Sequence, residues 1–448
     1  MSRFRFATLP FDGHFKPLTG IAVRLRELGH DVRWYAGASY AGALRELGIP
    51  HDPFVRAREV NGDTIAELFP ERAKLSGLKL IAFDFEHIFA DCEAHFLDLA
   101  ELHAAEPFDA LIADEGLYAT ALVKERLGVP VYAVGVSPLM GNSRDTPPNF
   151  FGLKPARTPI GKLRDRVVDA MVSRTMKPGA ATYNAMLTRH GVAPLAHPHD
   201  FFDIPTEVSA TYFQSGVPGF EYPRSDLPPN LRFVGPLLPH RRAIARDFAA
   251  AERLDAAESV IVVSQGTVDN KDHDKLLVPA LEALAGTEHL VVAATGGSGT
   301  AALRERFPAD NVLVEDFVDF ARVFASTRLF VCNGGYGSIM LALSNGVPIL
   351  AAGKREGKND INARIDYFGV GVDLRTERPS HRAIAKGVRR IVGDGRYAAR
   401  AATLRDELRG YDPLDLITRE LASVGSARTS TDAAGTPSDV ETSATTRR

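Results

Sequence analysis

At 448 residues the chain is longer than one ordinary core accommodates, and 45% hydrophobic side chains are enough to bury two, so a globular protein of two domains is expected. A formal net charge of −3 and the lack of long Lys/Arg runs argue against nucleic acid as the main partner and for a small molecule. Cys92 and Cys332 lie far apart and outside any CxxC spacing, which supports neither a disulfide framework nor a thiolate zinc site.

The chain opens on an alternating strand, Phe4 to Leu9, without the regions that make a signal peptide, and the expected compartment is the cytoplasm. No window reaches the apolar length that spans a bilayer, so membrane attachment would require a surface patch that the sequence does not display. Pro10 to Lys16 reads as a loop carrying His14, and Leu18, Ile21, Ala22, Leu25 and Leu28 recur at helical spacing before Gly29. Asp31 to Ala36 is the next strand. Strand, helix, strand opens a doubly wound parallel sheet, whose ligands bind beyond the carboxyl ends of the strands, where His14 lies.

Leu78 to His103 is helical in character, with Ile81, Phe85, Ile88, Phe89, Cys92 and Phe96 in one stripe. Ala110 to Ala113 reads as a buried strand; Asp114 at its end has the residue type and place to cap a helix beginning near Gly116. After the strand Val131 to Val136, the proline-rich stretch Gly141 to Pro159 is loop by composition and long enough to be functional. Val208 to Phe213 and Leu231 to Val234 are further strands. Residues 1–234 then form the first domain, 235–250 a linker, 251–410 the second domain, 411–424 an amphipathic helix packing back across the junction, and 425–448 a disordered tail poor in large apolar side chains.

In the second domain Val260 to Ser264 is a strand ending in Gln265-Gly266-Thr267, and Leu290 to Ala294 runs into the glycine-rich Thr295 to Gly299. Asp272-His273-Asp274 spells a DxD, better explained as capping of the amphipathic helix that follows than as a metal site. The centre of the chain is Cys332-Asn333-Gly334-Gly335-Tyr336-Gly337-Ser338, between the strand Leu329 to Cys332 and an apolar helix from Ile339 to Ser344. Glycines that let the backbone approach closely, followed by a helix N-terminus, make a phosphate site without a metal.

VCNGGYGSIMLALSNGVPIL resembles the C-terminal donor-binding signature of the family 1 GT-B glycosyltransferases, the macrolide and UDP-glycosyltransferase group, and the resemblance extends over most of the chain. It implies an α/β protein of GT-B architecture, two Rossmann-like domains facing each other across a cleft. The implied activity is inverting, metal-independent transfer of a sugar from a UDP- or dTDP-sugar to a hydroxyl of a small hydrophobic acceptor such as a natural product. No cofactor is implied, the nucleotide sugar being a co-substrate, and the assembly is expected to be a monomer or homodimer.

By the same resemblance FDGHFKP carries the catalytic base, His14, and Asp114 stands where an aspartate backs it. Gly266, Thr267, Asn333, Gly334, Gly335, Gly337 and Ser338 would hold the donor's diphosphate, Phe317 and Val318 its base, and Glu356 and Lys358 lie in the donor-binding stretch 353–358, where Gly357-Lys358 replaces the family's sugar-gripping Asp-Gln pair. Phe85, Phe89, Met140 and Phe150 would touch the acceptor. Asn333 stands where the family commonly has a histidine, and Leu341 where a glutamate bonds the ribose hydroxyls. The alternatives are a nucleotide-sugar epimerase of the same architecture and a non-catalytic partner of another glycosyltransferase. A nicotinamide oxidoreductase is disfavoured, because the first turn lacks GxGxxG.

Overall fold

The computed structural model describes residues 1–87, 89–240, 251–266 and 270–425. Two parallel sheets organise them. The first holds β1 (Arg3–Ala7), β2 (Asp31–Ala36), β3 (His51–Pro53), β4 (Ala110–Asp114), β5 (Val131–Gly135), β6 (Thr211–Ser215) and β7 (Leu231–Gly235), in the order β3-β2-β1-β4-β5-β6-β7. The second holds β8 (Val260–Ser264), β9 (Leu290–Ala294), β10 (Val312–Glu315), β11 (Thr327–Cys332), β12 (Ile349–Ala351) and β13 (Gly371–Asp373), in the order β10-β9-β8-β11-β12-β13.

The strands β4 and β8 are apolar up to their last residue because both faces of a parallel sheet are covered. In β4, Ala110 and Ile112 pack with Phe4, Phe6, Leu18, Ile21 and Leu25, while Leu111 and Ala113 pack with Leu99, Leu117 and Leu122 on the other face. In β8, Val260 and Val262 join Phe330, Ile339 and Leu343, and Ile261 and Val263 join Leu277, Leu281 and Ile384.

Each sheet has one point where the strand order reverses, between β1 and β4 in the first and between β8 and β11 in the second. Connections diverge to opposite faces there and leave a crevice beyond the strand ends. The two crevices face each other. Contacts between the domains join segments that follow carboxyl ends of strands: Tyr336 Oη donates to the Ser215 carbonyl at 2.9 Å, and the buried Arg364 pairs with the buried Glu221 at 2.5 Å. Lys154 pairs with Asp366, and Asp360 accepts the amides of Phe150 and, at 2.7 Å, Gly152. The domains also share core. Val217 and Phe220, between β6 and β7, lie in the second domain's core, and Ile417 and Leu421 of the Pro413–Leu421 helix lie in that of the first.

Several local expectations need correction. Pro10 to Lys16 is helical from Asp12, since Pro17 sits in the first turn of the Lys16–Leu18 segment, where a missing N–H costs nothing. Leu28 is the C-cap of the Thr19–Glu27 helix and is exposed rather than part of its buried face. Leu78 to His103 is two helices, Gly77–His87 and Cys92–Ala105, and Asp91 between them accepts the Arg58 amide at 2.8 Å. Residues 208–210 belong to no strand, Val208 ending the Ile204–Val208 helix. Asp272 caps a short 3-10 turn, His273–Lys275, and the α-helix begins at Leu277.

The largest unanticipated element is the 31-residue helix Pro159–Arg189. Thr158 caps it by accepting the Gly161 amide at 3.1 Å, and Pro159 occupies its first turn. Its opening half carries apolar residues on two faces, which obscures a single amphipathic stripe.

Candidate active site

His14 and Asp114 are 100 positions apart in sequence and meet at the first sheet's switch point, because β1 and β4 are neighbours with Ala7 opposite Ala113. His14 Nδ1 lies 2.7 Å from Asp114 Oδ1. Asp114 Oδ2 accepts the Leu9 amide at 2.7 Å and Oδ1 also accepts the Gly116 amide at 2.8 Å, so the carboxylate gathers three donors while wholly buried. No helix starts at Gly116; the next begins at Thr120 with Ala119 as its N-cap, and Asp114 holds a turn rather than a helix. Gly116 is required there, since a Cβ would stand 2.7 Å from Leu9 Cδ1, 3.0 Å from Asp114 Oδ1 and 3.3 Å from His14 Cε1.

Burial alone would depress the imidazole's pKa, but the Asp114 charge and hydrogen bond outweigh it and raise the pKa above its ordinary value. With 28% of its side chain exposed, His14 remains reachable by a substrate. A carboxylate-bound Nδ1–H leaves Nε2 with its lone pair free, the tautomer a general base needs. Beside the pair, the buried Glu115 accepts from Tyr212 Oη at 2.7 Å and the Val136 amide at 3.1 Å, and burial raises its carboxyl pKa.

Across the cleft, β11 ends at Cys332 and Gly334 takes φ 98°. A Cβ on Gly334 would stand 2.3 Å from Asn362 Oδ1, so both the dihedral and the space require glycine. Gly335 caps the Tyr336–Ser344 helix, leaving the amides of its first turn, Gly337 and Ser338 included, without partners inside the helix. Asn333 is buried and donates to the Gln265 carbonyl at 2.5 Å, tying this turn to the one after β8, where Gly266 takes φ 83°. Ser338 Oγ donates to the Gly335 carbonyl at 2.8 Å, so its hydroxyl proton is spent locally.

Lys358 is buried at the start of the Lys358–Tyr367 helix and donates to Glu356 at 2.8 Å. Burial pushes the Glu356 carboxyl pKa up, but the Lys358, Arg72 and Lys275 charges outweigh it and hold it below the usual value. Glu356 has φ 57°, an uncommon conformation for a residue with a side chain. Arg72 comes from the first domain, where it grips Asp84 with two bonds of 2.6 and 2.8 Å, so the site's electrostatics span the cleft. Phe317 is 50% exposed and lies against Gly297, where a Cβ would approach its ring to 3.3 Å; Val318 and Phe320 are partly buried on the core.

The acceptor candidates divide. Phe85 is buried, its ring 5.6 Å from Phe201 and 5.5 Å from Phe202, and Phe150 packs on Phe85 and Phe202 at 6.0 and 5.8 Å. Phe150 has φ 73°, and its carbonyl accepts from Asn359 at 2.5 Å. Met140 is partly buried on the same core. Thr267 and the Phe89 side chain lie outside the described residues. Arg72 and Asn362 escaped the sequence reading: a basic residue in a polar stretch and a buried Asn within a helix give no signal without their neighbours.

Residues 280–417 match the family model "Erythromycin biosynthesis protein CIII-like, C-terminal domain". Over 412 residues, 92% of this chain and 96% of the relative, the sequence is 35% identical to 4'-demethylrebeccamycin synthase of Lentzea aerocolonigenes. The chain belongs to the family 1 GT-B glycosyltransferases. This glycosyltransferase is also 26% identical to UDP-glycosyltransferase 2 of Phaeomoniella chlamydospora over 94% of its length and 95% of the relative. Its fold is that of the kitacinnamycin glycosyltransferase (TM-score 0.72, 21% identity, 94% and 99% covered) and of the spinosyn rhamnosyltransferase SpnG complexed with thymidine diphosphate (0.66, 16%, 94% and 100%). Among its described residues no helix is long and apolar enough to cross a membrane.

Proposed function

We propose that the enzyme transfers a sugar, with inversion and without a metal, from a nucleotide diphosphate sugar to a hydroxyl of a small hydrophobic acceptor such as a natural product. The observation that carries this reading is the 2.7 Å His14–Asp114 pair at one switch point, facing the glycine turn and helix N-terminus at the other. His14 Nε2 takes the acceptor's O–H proton as that oxygen bonds to the anomeric carbon. The bond from that carbon to the β-phosphate oxygen breaks, its electron pair leaves with the nucleotide diphosphate, and attack from the opposite face inverts the centre. Asp114 holds the tautomer and stabilises the imidazolium. First-turn amides at Gly337 and Ser338 and the Lys358 ammonium meet the charge on the departing diphosphate, and the half-exposed Phe317 stacks on the base.

The charge a metal would supply comes from these groups, and Asp272 is engaged by the Asp274 amide and Arg378. Incubating the purified enzyme with arrays of donors and apolar acceptors should give a mass-resolved glycoside of inverted anomeric configuration, at the same rate with and without chelator. Retention, strict dependence on Mg²⁺, or turnover of donor without acceptor would each overturn the proposal.

Leu341 bears on the donor. It is partly buried on the same core as Val318 and Phe320 and can accept no hydrogen bond from a ribose hydroxyl. A 2'-hydroxyl placed there loses water without compensation, a penalty of about 1–3 kcal/mol that a 2'-deoxyribose avoids. dTDP-sugars are therefore expected to serve at least as well as the matching UDP-sugars, and Leu341→Glu should shift preference toward UDP. SpnG, a structural neighbour, was captured with thymidine diphosphate. Competition between dTDP-glucose and UDP-glucose measures this; a strong UDP preference untouched by the substitution would show that Leu341 only packs.

A further inference from the structure

The long helix Pro159–Arg189 has two apolar faces. One, with Val172, Met176 and Tyr183, is buried in the first domain. The other is uncovered: Ile160 is 81% exposed, Leu163 60%, Val167 54% and Met171 43%. Single exposed apolar side chains are ordinary on any protein. These four are spaced 3, 4 and 4 residues apart, which at about 100° per residue aligns them in one stripe along three turns.

The charges around the stripe are one-sided. Residues 157–177 contain six basic side chains, Arg157, Lys162, Arg164, Arg166, Arg174 and Lys177, all exposed, against Asp165 and Asp169, in a chain whose net charge is −3. By helical angle Arg174 lies within the stripe, Arg164 on one flank and Arg166 and Lys177 on the other, and of the six only Arg164 forms a salt bridge among the described contacts. A second copy of the chain would bring the same cations against themselves. An apolar stripe flanked by cations complements an anionic lipid surface, with the apolar side chains entering the acyl boundary and the cations meeting headgroups.

We propose that the Ile160-Leu163-Val167-Met171 face of this helix docks the enzyme peripherally on an anionic membrane surface. The preceding loop, residues 141–158, leads from β5 at the cleft to the start of the helix, so docking sets the N-terminal domain's side of the cleft towards lipid, where hydrophobic acceptors partition.

The test is co-sedimentation of the full-length protein with vesicles of phosphatidylcholine alone and with added phosphatidylglycerol. The expected result is pelleting with the anionic vesicles only, reversed by salt. Binding should be weakened by at least about tenfold in Leu163→Glu/Val167→Glu and in Arg166→Glu/Arg174→Glu/Lys177→Glu. Both variants change only exposed positions and should transfer sugar to a water-soluble acceptor as the parent does. Wild-type protein left in the supernatant, or both variants pelleting like wild type, overturns the proposal. So does a wild-type dimer in solution that Leu163→Glu/Val167→Glu converts to monomer, which would assign the stripe to a second copy.

Discussion

His14→Ala is expected to reduce kcat by roughly 100-fold or more while donor affinity stays near that of the parent enzyme. The two effects separate because the imidazole stands at the end of the first sheet and the glycine turn proposed to hold the diphosphate at the end of the second. Removing the ring deletes the proton acceptor but leaves Gly334, Gly335 and the first-turn amides of the Tyr336–Ser344 helix in place. Turnover with saturating acceptor, read beside calorimetric titration of the nucleotide diphosphate, distinguishes the cases. An equal loss in both would make His14 a structural element of the cleft.

Asp114→Asn should cost on the order of 100-fold in kcat and also displace the pH profile. The carboxylate accepts His14 Nδ1 and the Gly116 amide on one oxygen and the Leu9 amide on the other. A carboxamide has a single acceptor oxygen, so its NH₂ must face a donor on one side. If the oxygen stays with Leu9, the NH₂ faces His14, which then presents its lone pair at Nδ1 and its proton at Nε2, the wrong tautomer for a base. The pH effect has a definite sign. His14 works deprotonated and its pKa is raised, so wild-type activity falls on acidification through a pKa above that of a free imidazole. Asn removes the charge that raises the pKa and leaves the burial that lowers it, so the acid limb should move to lower pH. A pH–rate profile with wild-type height and position would reduce Asp114 to the holder of the 114–116 turn.

The parts of this protein that local chemistry governs could be read from the chain. Apolar runs such as Val260 to Ser264 and Ala110 to Ala113 are strands because only a sheet covered on both faces buries every side chain. The glycines after Cys332 force a turn that no other residue can make, φ 98° at Gly334 with Asn362 against it, and the apolar segment beyond must start a helix there. The glycine turn and the helix after it were therefore legible, and the resemblance to the family rests on that stretch.

Relations between distant residues were not legible, because they depend on which strands become neighbours. Nothing local to Asp114 distinguishes a helix cap from a histidine's partner; the adjacency of β1 and β4 decides it by bringing position 14 within a hydrogen bond of position 114. The sharing of core between the domains, the reach of Arg72 to Glu356 and the pinning of the Phe150 backbone by Asp360 have the same origin. The Pro159–Arg189 helix shows the converse: its apolar residues point two ways, and periodicity cannot say which face is buried. Only the packed fold decides that Val172 and Met176 face inward while Leu163 and Val167 are left in solvent, because burial belongs to the partner surface as much as to the helix.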